Sequence, residues 1–306
     1  MSATESSKQS DQRDLIDGSL FTYFPGSRDT LPGILRALAG RGVAFTPDRV
    51  SLGEAHRGLN VPFHTDRLDD FVRKWRDEQT GRAIWAFERK YPDGLAVIIG
   101  DNMSGYRTVH VFVHRDYLAV DDRNKEFFQL LKELYRLLRP MYGNILVREM
   151  FRQVGPHPRQ RPSGMDLQWG LPDVFWANFL GPEYVEMFGS EKVFSLPCYE
   201  AERLHDGGAV FLVSSSPFDC LTDPQGFDQR RLDITRHLGA EAFDTGYDNS
   251  PVKVPKFRYE EERKVEEQRR LATPHEKDIL ARVPRKEWQD WIENNQTIAL
   301  ALVSEM

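Results

Sequence analysis

"AIWAFERKY" (83–91), "LAVIIGD" (95–101) and "RTVHVFVHRDY" (107–117) are three runs rich in β-branched and aromatic residues. Pro92-Asp93-Gly94 divides the first pair and a loop through Gly105 the second. Runs of strand length bounded by turn-forming residues read as an antiparallel meander. The next stretch, "DRNKEFFQLLKELYRLLRPMYG" (122–143), changes period: Phe127, Leu130, Leu131, Leu134, Leu137 and Leu138 fall at helical spacing, and Pro140 and Gly143 mark its end. A helix so patterned has one apolar stripe to bury, and the meander offers a face for it. The fold class that follows is α+β: antiparallel sheets covered by helices.

Working outward toward the start, "SLFTYFPG" (19–26) reads as a strand ending at Pro25-Gly26. "DTLPGILRALAGRGV" (29–43) reads as a helix capped by Asp29 or Thr30, with Leu31, Ile34, Leu35 and Leu38 on one face. "RVSLGE" (49–54) is a short strand candidate, and "RLDDFVRKWRDEQTG" (67–81) a second helix with Leu68, Phe71, Val72 and Trp75 on one stripe and Gly81 as its stop. Toward the other end, "GPHPRQRPSG" (155–164) shifts to Pro, Arg and Gly and marks a linker or long loop. Beyond it, "PDVFWANFLG" (172–181) is extended, and "PEYVEMFG" (182–189) is a short helix begun by Pro182. "CYEAERL" and "AVFLVSS" flank "HDGG" (205–208) as a hairpin, and "PQGFDQRRLDITRHLG" (224–239) is a helix ended by Gly239.

After Phe257 the character changes. "KFRYEEERKVEEQRRLA" (256–272) mixes both signs of charge with few apolar residues, as in an exposed helix supported by Glu260–Lys264 and Glu266–Arg270 pairs. Two short helices follow, the second with Trp288, Trp291 and Ile292 on an apolar side that docks on the body or meets a partner. The expected organisation is therefore a disordered arm (1–15), an α+β half with the meander (16–154), a second α+β half (155–257) and a charged helical C-terminal extension (258–306).

The 306 residues, 40% hydrophobic, suffice for a well-filled core. No apolar run reaches the length of a membrane span, and "MSATESSKQSDQRD" lacks the pattern of a signal peptide, so a cytoplasmic protein with no membrane association is expected. Cys198 and Cys220 lie in separate segments without metal-knuckle or redox spacing and are expected as free thiols. A formal net charge of -6 argues against direct nucleic-acid binding and suits a basic protein partner.

Few residues suggest chemistry. In "VHVFVH" (109–114), alternation places His110, Phe112 and His114 on one side of a strand. Two imidazoles joined by a carboxylate such as Glu88 would make a metal site and a metal-assisted hydrolase or nuclease; histidines satisfied on a partly exposed sheet face explain the pattern without one. "HRD" (114–116) lacks every other kinase element, and "VSSSP" (213–217) lacks the G-x-S-x-G elbow and reads as a turn. Glu54, His56, His64 and Asp66 share an irregular polar stretch, and "HPRQRP" (157–162) reads as a solvated loop. Trp176, Phe175, Phe179, Tyr184 and Phe188 read as core, with Asn178 and Glu183 needing partners if buried. No catalytic residue and no cofactor is assigned.

Taken in order, Leu171-Pro-Asp, Trp176-Ala-Asn-Phe-Leu-Gly-Pro-Glu-Tyr, Met187-Phe-Gly-Ser-Glu-Lys, the Gly207-Gly208 hairpin and His237-Leu-Gly resemble small α+β immunity proteins of bacterial polymorphic toxin systems. The likeness runs over roughly Leu68 to Phe257; the extension after Phe257 departs from the shorter pattern. The resemblance implies a protein that catalyses nothing and neutralises a cognate toxin, possessing a basic surface, by occluding it. Under that reading Trp288 and Trp291 are the candidate anchors, and Asp121, Asp122, Glu260, Glu261 and Glu262 a charged rim. Bacterial conflict enzymes, and a structural subunit docked through its C-terminal helices, are the alternatives.

Overall fold

The computed structural model describes residues 15–22, 30–41, 45–52, 60–62, 64, 85–89, 95–101, 107–120, 122–149, 167, 170–244 and 253–257. Within them the chain runs β1 (Leu15–Thr22), α1 (Thr30–Gly40), β2 (Arg49–Leu52), β3 (Asn60–Pro62), β4 (Trp85–Arg89), β5 (Leu95–Asp101) and β6 (Arg107–His114). Then come α2 (Arg115–Leu118), α3 (Arg123–Leu138), β7 (Tyr142–Val147), β8 (Ala177–Leu180), α4 (Pro182–Phe188) and α5 (Ser190–Phe194). The last elements are β9 (Glu200–Arg203), β10 (Ala209–Leu212), α6 (Asp219–Thr222) and α7 (Pro224–Leu238). The expected helix at 67–81 and everything after Phe257 lie outside the described residues.

The α+β class holds, and the strands of both halves share one sheet. Its order is β3-β2-β4-β5-β6-β1-β7-β8-β10-β9, and each named pair is antiparallel. The predicted meander is β4-β5-β6. The N-terminal strand inserts beside it, pairing Ser19 with His110 on one side and with Asn144 on the other. It begins at Leu15, earlier than the sequence pattern suggests, because Asp17 interrupts the apolar run yet is buried.

Strand β7 is the element the sequence conceals. Pro140 and Gly143 read as the end of a helix, and the helix does end there: Arg139 adopts a left-handed conformation (φ 45°) and its N–H donates to the Tyr135 carbonyl. A following proline disfavours continued right-handed helix at Arg139. Gly143, however, is a strand residue. A Cβ there would stand 2.5 Å from a Leu20 methyl and 2.9 Å from the Ser19 carbonyl, so β7 can lie against β1 only with glycine at this place.

One face of the sheet is covered by α3, whose Phe127, Leu130, Leu131, Leu134, Tyr135 and Leu138 are buried. Phe127 and Leu131 press on Gly18 of β1, and Tyr135 stacks on Phe179 of β8. Helix α3 therefore straddles the middle of the sheet rather than the meander alone. Leu137, expected on the same stripe, is 40% exposed and leans over Gly33 of α1 instead. At the far end Lys132 donates to Glu202 of β9 at 2.7 Å and sits over the Phe128 ring.

The opposite face is covered on the β8-β10 side by α4, α5 and α7. Tyr184 of α4 stacks with Phe188 and meets Tyr142 and Phe257 edge-on, which accounts for the aromatic density of 171–189 as core. Asn178 supplies its own partners, accepting from the Phe175 N–H and donating to the Phe175 carbonyl. Asp223 caps α7 by accepting from the Gly226 N–H, just ahead of Pro224.

Helix α7 is tied down by Arg231, which donates to Asp173 (2.6 Å), Asp228 (2.7 Å) and the Val174 carbonyl (2.8 Å). Arg231 and Asp173 are almost wholly buried, so removing one partner strands a charge. Arg231→Met is expected to lower the unfolding free energy by about 3–5 kcal/mol, read as a fall in the urea midpoint. Lys125→Met, in the exposed pair with Asp122, should leave the midpoint essentially where it is.

Candidate functional site

Alternation along β1 and β6 gathers a polar cluster on the face away from α3. Asp17 and Ser19 point to that side with Gly18 between them, and His110 and Phe112 stand opposite them in register. The Ser19 hydroxyl donates to Asp17 Oδ1 (2.9 Å). His110 Nδ1 lies 2.8 Å from the Ser19 hydroxyl and 3.4 Å from Asp17 Oδ1. Arg148, just past β7, approaches Asp17 Oδ2 at 3.5 Å and lies over the Phe112 ring. The His110 ring stacks on Phe112 and meets Phe21 edge-on, with 28% of its side chain exposed.

Electrostatics explain how a carboxylate survives in a central strand. Burial alone would raise the Asp17 carboxyl, but the charge and hydrogen bond of His110, aided by Arg148 and Ser19, outweigh it and hold the group below its ordinary range. Beside this cluster, Tyr142 Oη and both ends of the Asn144 amide are buried without a hydrogen-bond partner of good geometry among the described residues. Burial pushes the Tyr142 hydroxyl well up.

Asp, Ser and His are together here, yet not as a nucleophilic triad. In such a triad the serine meets Nε2 and the acid meets Nδ1. In this protein both Ser19 and Asp17 address Nδ1, and Ser19 is buried. The arrangement orients an imidazole and neutralises a carboxylate.

Of the residues proposed from sequence for a metal, His110 is brought to Asp17 and Ser19, while His114 accepts from the Asp116 N–H at the start of α2. Four residues along one strand separate the two histidines by about 13 Å. Glu88 pairs with Ala96, which pairs with Phe112, so all of β5 lies between Glu88 and the histidine strand. The structure does not bring the three together, and among the described residues no group of three or more His, Cys, Asp or Glu side chains is placed to hold a metal ion.

The other sequence candidates fall as follows. Asp122 precedes α3, is 77% exposed on its side chain and pairs with Lys125 at 2.7 Å. Asp121, Glu260, Glu261, Glu262, Trp288 and Trp291 lie outside the described residues, as do Glu54, His56 and Asp66. His64 is exposed. The serines of 214–216 form a turn: Ser214 donates to the Ser216 carbonyl, and Ser215 Oγ and Ser216 N–H both donate to Asp219. Both cysteines are free thiols, and burial pushes the Cys220 thiol up to about 12. Asp17, Ser19 and Arg148 were not singled out by sequence; the available signal was an acidic residue two places before a serine within an apolar run.

No protein-family model matches the chain, and no curated protein matches it. Among solved structures it is similar in fold to a chain described as Pseudomonas aeruginosa T6SS protein PA0821, with a TM-score of 0.50 and 14% sequence identity over 79% of each chain. No helix among the described residues is long and apolar enough to cross a membrane.

Asp17→Asn is expected to destabilise the protein by about 3 kcal/mol at neutral pH. Because the folded-state carboxyl is held low, its contribution is complete above the unfolded carboxylate value of about 4 and is lost as pH falls through the lower folded value. Urea midpoints across pH should thus show a gap between wild type and Asp17→Asn that is widest near neutrality and closes below about pH 4.

Proposed function

We propose that this chain is an immunity protein of a bacterial conflict system, binding a cognate toxin and neutralising it by occlusion. The observation that carries the reading is the fold shared with a T6SS protein over 79% of each chain. It is supported by the order of segments from Leu171 to Gly239 that resembles the immunity proteins of polymorphic toxin systems. An excess of six negative charges suits a basic toxin surface and would speed encounter with it. Trp288 and Trp291 remain the proposed anchors, and Asp121, Asp122 and Glu260–Glu262 the proposed rim. Occlusion requires no chemistry from the inhibitor, so Asp17, Ser19 and His110 serve to hold the sheet that presents the surface.

The test begins with a tagged full-length chain expressed in its host and captured at low salt. A basic protein recovered in near-equal amount should arrest growth when expressed alone, and growth should return when this chain is expressed with it. A captured protein that is harmless, or whose toxicity this chain does not relieve, overturns the proposal. Asp122→Lys should slow association several-fold at low ionic strength and much less at high salt, because rim charges act mainly on encounter rates; stopped-flow mixing with the purified toxin measures it.

A further inference from the structure

Strand β9 ends the sheet, with β10 as its one neighbour among the described residues. The backbone of β10 alternates its allegiance. The Val213 N–H donates to the Trp176 carbonyl beside β8, whereas the Leu204 N–H donates to the Gly208 carbonyl across the β9-β10 hairpin. Following that alternation in register, Glu200 and Glu202 turn their backbone groups inward to Leu212 and Val210. Ala201 and Arg203 turn theirs outward. The strand is surface-lying along its length: Glu200 and Arg203 are exposed and Ala201 and Glu202 half-buried.

The side chains give this edge a character. On the α3 side stand Glu202, pairing with Lys132, and the exposed Glu200. Tyr199, with its N–H also directed to the Leu212 carbonyl, is 61% exposed. On the other side Arg203 is held by Ser190 and the Phe194 ring.

A second copy of the chain is a poor occupant. Two-fold antiparallel pairing must match outward-turned residues with one another, which leaves three registers. Ala201 on Ala201 sets Glu200 against Glu202, Ala201 on Arg203 sets Glu202 against Glu202, and Arg203 on Arg203 sets two arginines together. Each places like charges directly opposite, which destabilises a strand pair. The exposed Glu200 favours instead a foreign strand that brings a basic side chain opposite it.

We propose that β9 is a docking edge that adds an extended, lysine- or arginine-bearing segment of a partner protein as a further strand, through the backbone of Ala201 and Arg203 and the charge of the exposed Glu200. This deepens the immunity reading by naming a surface, and rests on it only for which protein carries the strand.

The probe is a fluorescein-labelled peptide of alternating lysine and valine, with a glutamate–valine peptide as control, added to the full chain. Anisotropy should show binding of the lysine peptide alone, and hydrogen exchange should show the Ala201 and Arg203 amides slowed by about tenfold or more at saturation. Ala201→Pro removes an N–H turned away from β10, at an edge where proline is tolerated, and should weaken binding by about tenfold. Glu200→Lys, at an exposed position, should weaken it several-fold and serves if the proline variant misfolds. Unprotected amides at 201 and 203, or equal binding to wild type and both variants, overturn the proposal. Relief of toxicity by a folded Ala201→Pro variant as complete as by wild type also overturns it, while leaving the immunity reading standing.

Discussion

Among the described strands, the backbone ladder joins the N-terminal meander to the C-terminal strands through β1. All eight of its residues are buried, and three of them are polar: Asp17, Ser19 and Thr22, the last donating to the Leu138 carbonyl. A central strand can hold such groups only if each finds a partner, since an unpaired buried carboxylate costs several kcal/mol or changes its protonation state. His110 from one neighbour and Arg148 from beyond the other supply the partners. The same contacts set register: sliding β1 by one residue would turn Asp17 and Ser19 into the Phe127 and Leu131 side chains of α3.

Helix α3 reinforces that junction from the other face. Its apolar stripe spans from Gly18 of β1 to Phe179 of β8, and its Lys132 reaches β9. Tyr135 extends the tie to the β9-β10 hairpin, with its hydroxyl near Asp206 and the Leu180 carbonyl. The turn accepts it because Gly208 has no side chain: a Cβ there would stand 2.2 Å from the tyrosine oxygen. The Gly-Gly of the hairpin thus serves helix packing as well as the turn.

What the sequence made legible was what neighbouring residues announce to one another. The meander, α3, the hairpin and α7 each combine periodicity with a turn or cap nearby, and each formed close to its expected bounds. Strand β7 was hidden because its glycine, required by Leu20, looks like a helix stop when read locally. The first residues of β1 were hidden because Asp17 looks like part of a polar arm until a histidine 93 positions later is seen beside it. His110 was noticed, but with Glu88 as its companion, since strand order alone reveals that β5 separates them and that β1 lies on the other side. The edge position of β9 was illegible for the same reason: nothing within "CYEAERL" says that β9 is the last of the described strands in the sheet.

The insertion of β1 at the middle of the sheet also orders events in time. It is the first of these strands to be synthesised, yet its partners end at His114 and Val147, so translation at about 5–20 residues per second leaves it waiting on the order of ten seconds. Until β6 is complete this mostly apolar strand has no native neighbour, and until β7 is complete it has one. Asp17, whose charge is costly to bury without His110 and Arg148, disfavours pairing of that segment with strands that do not supply them.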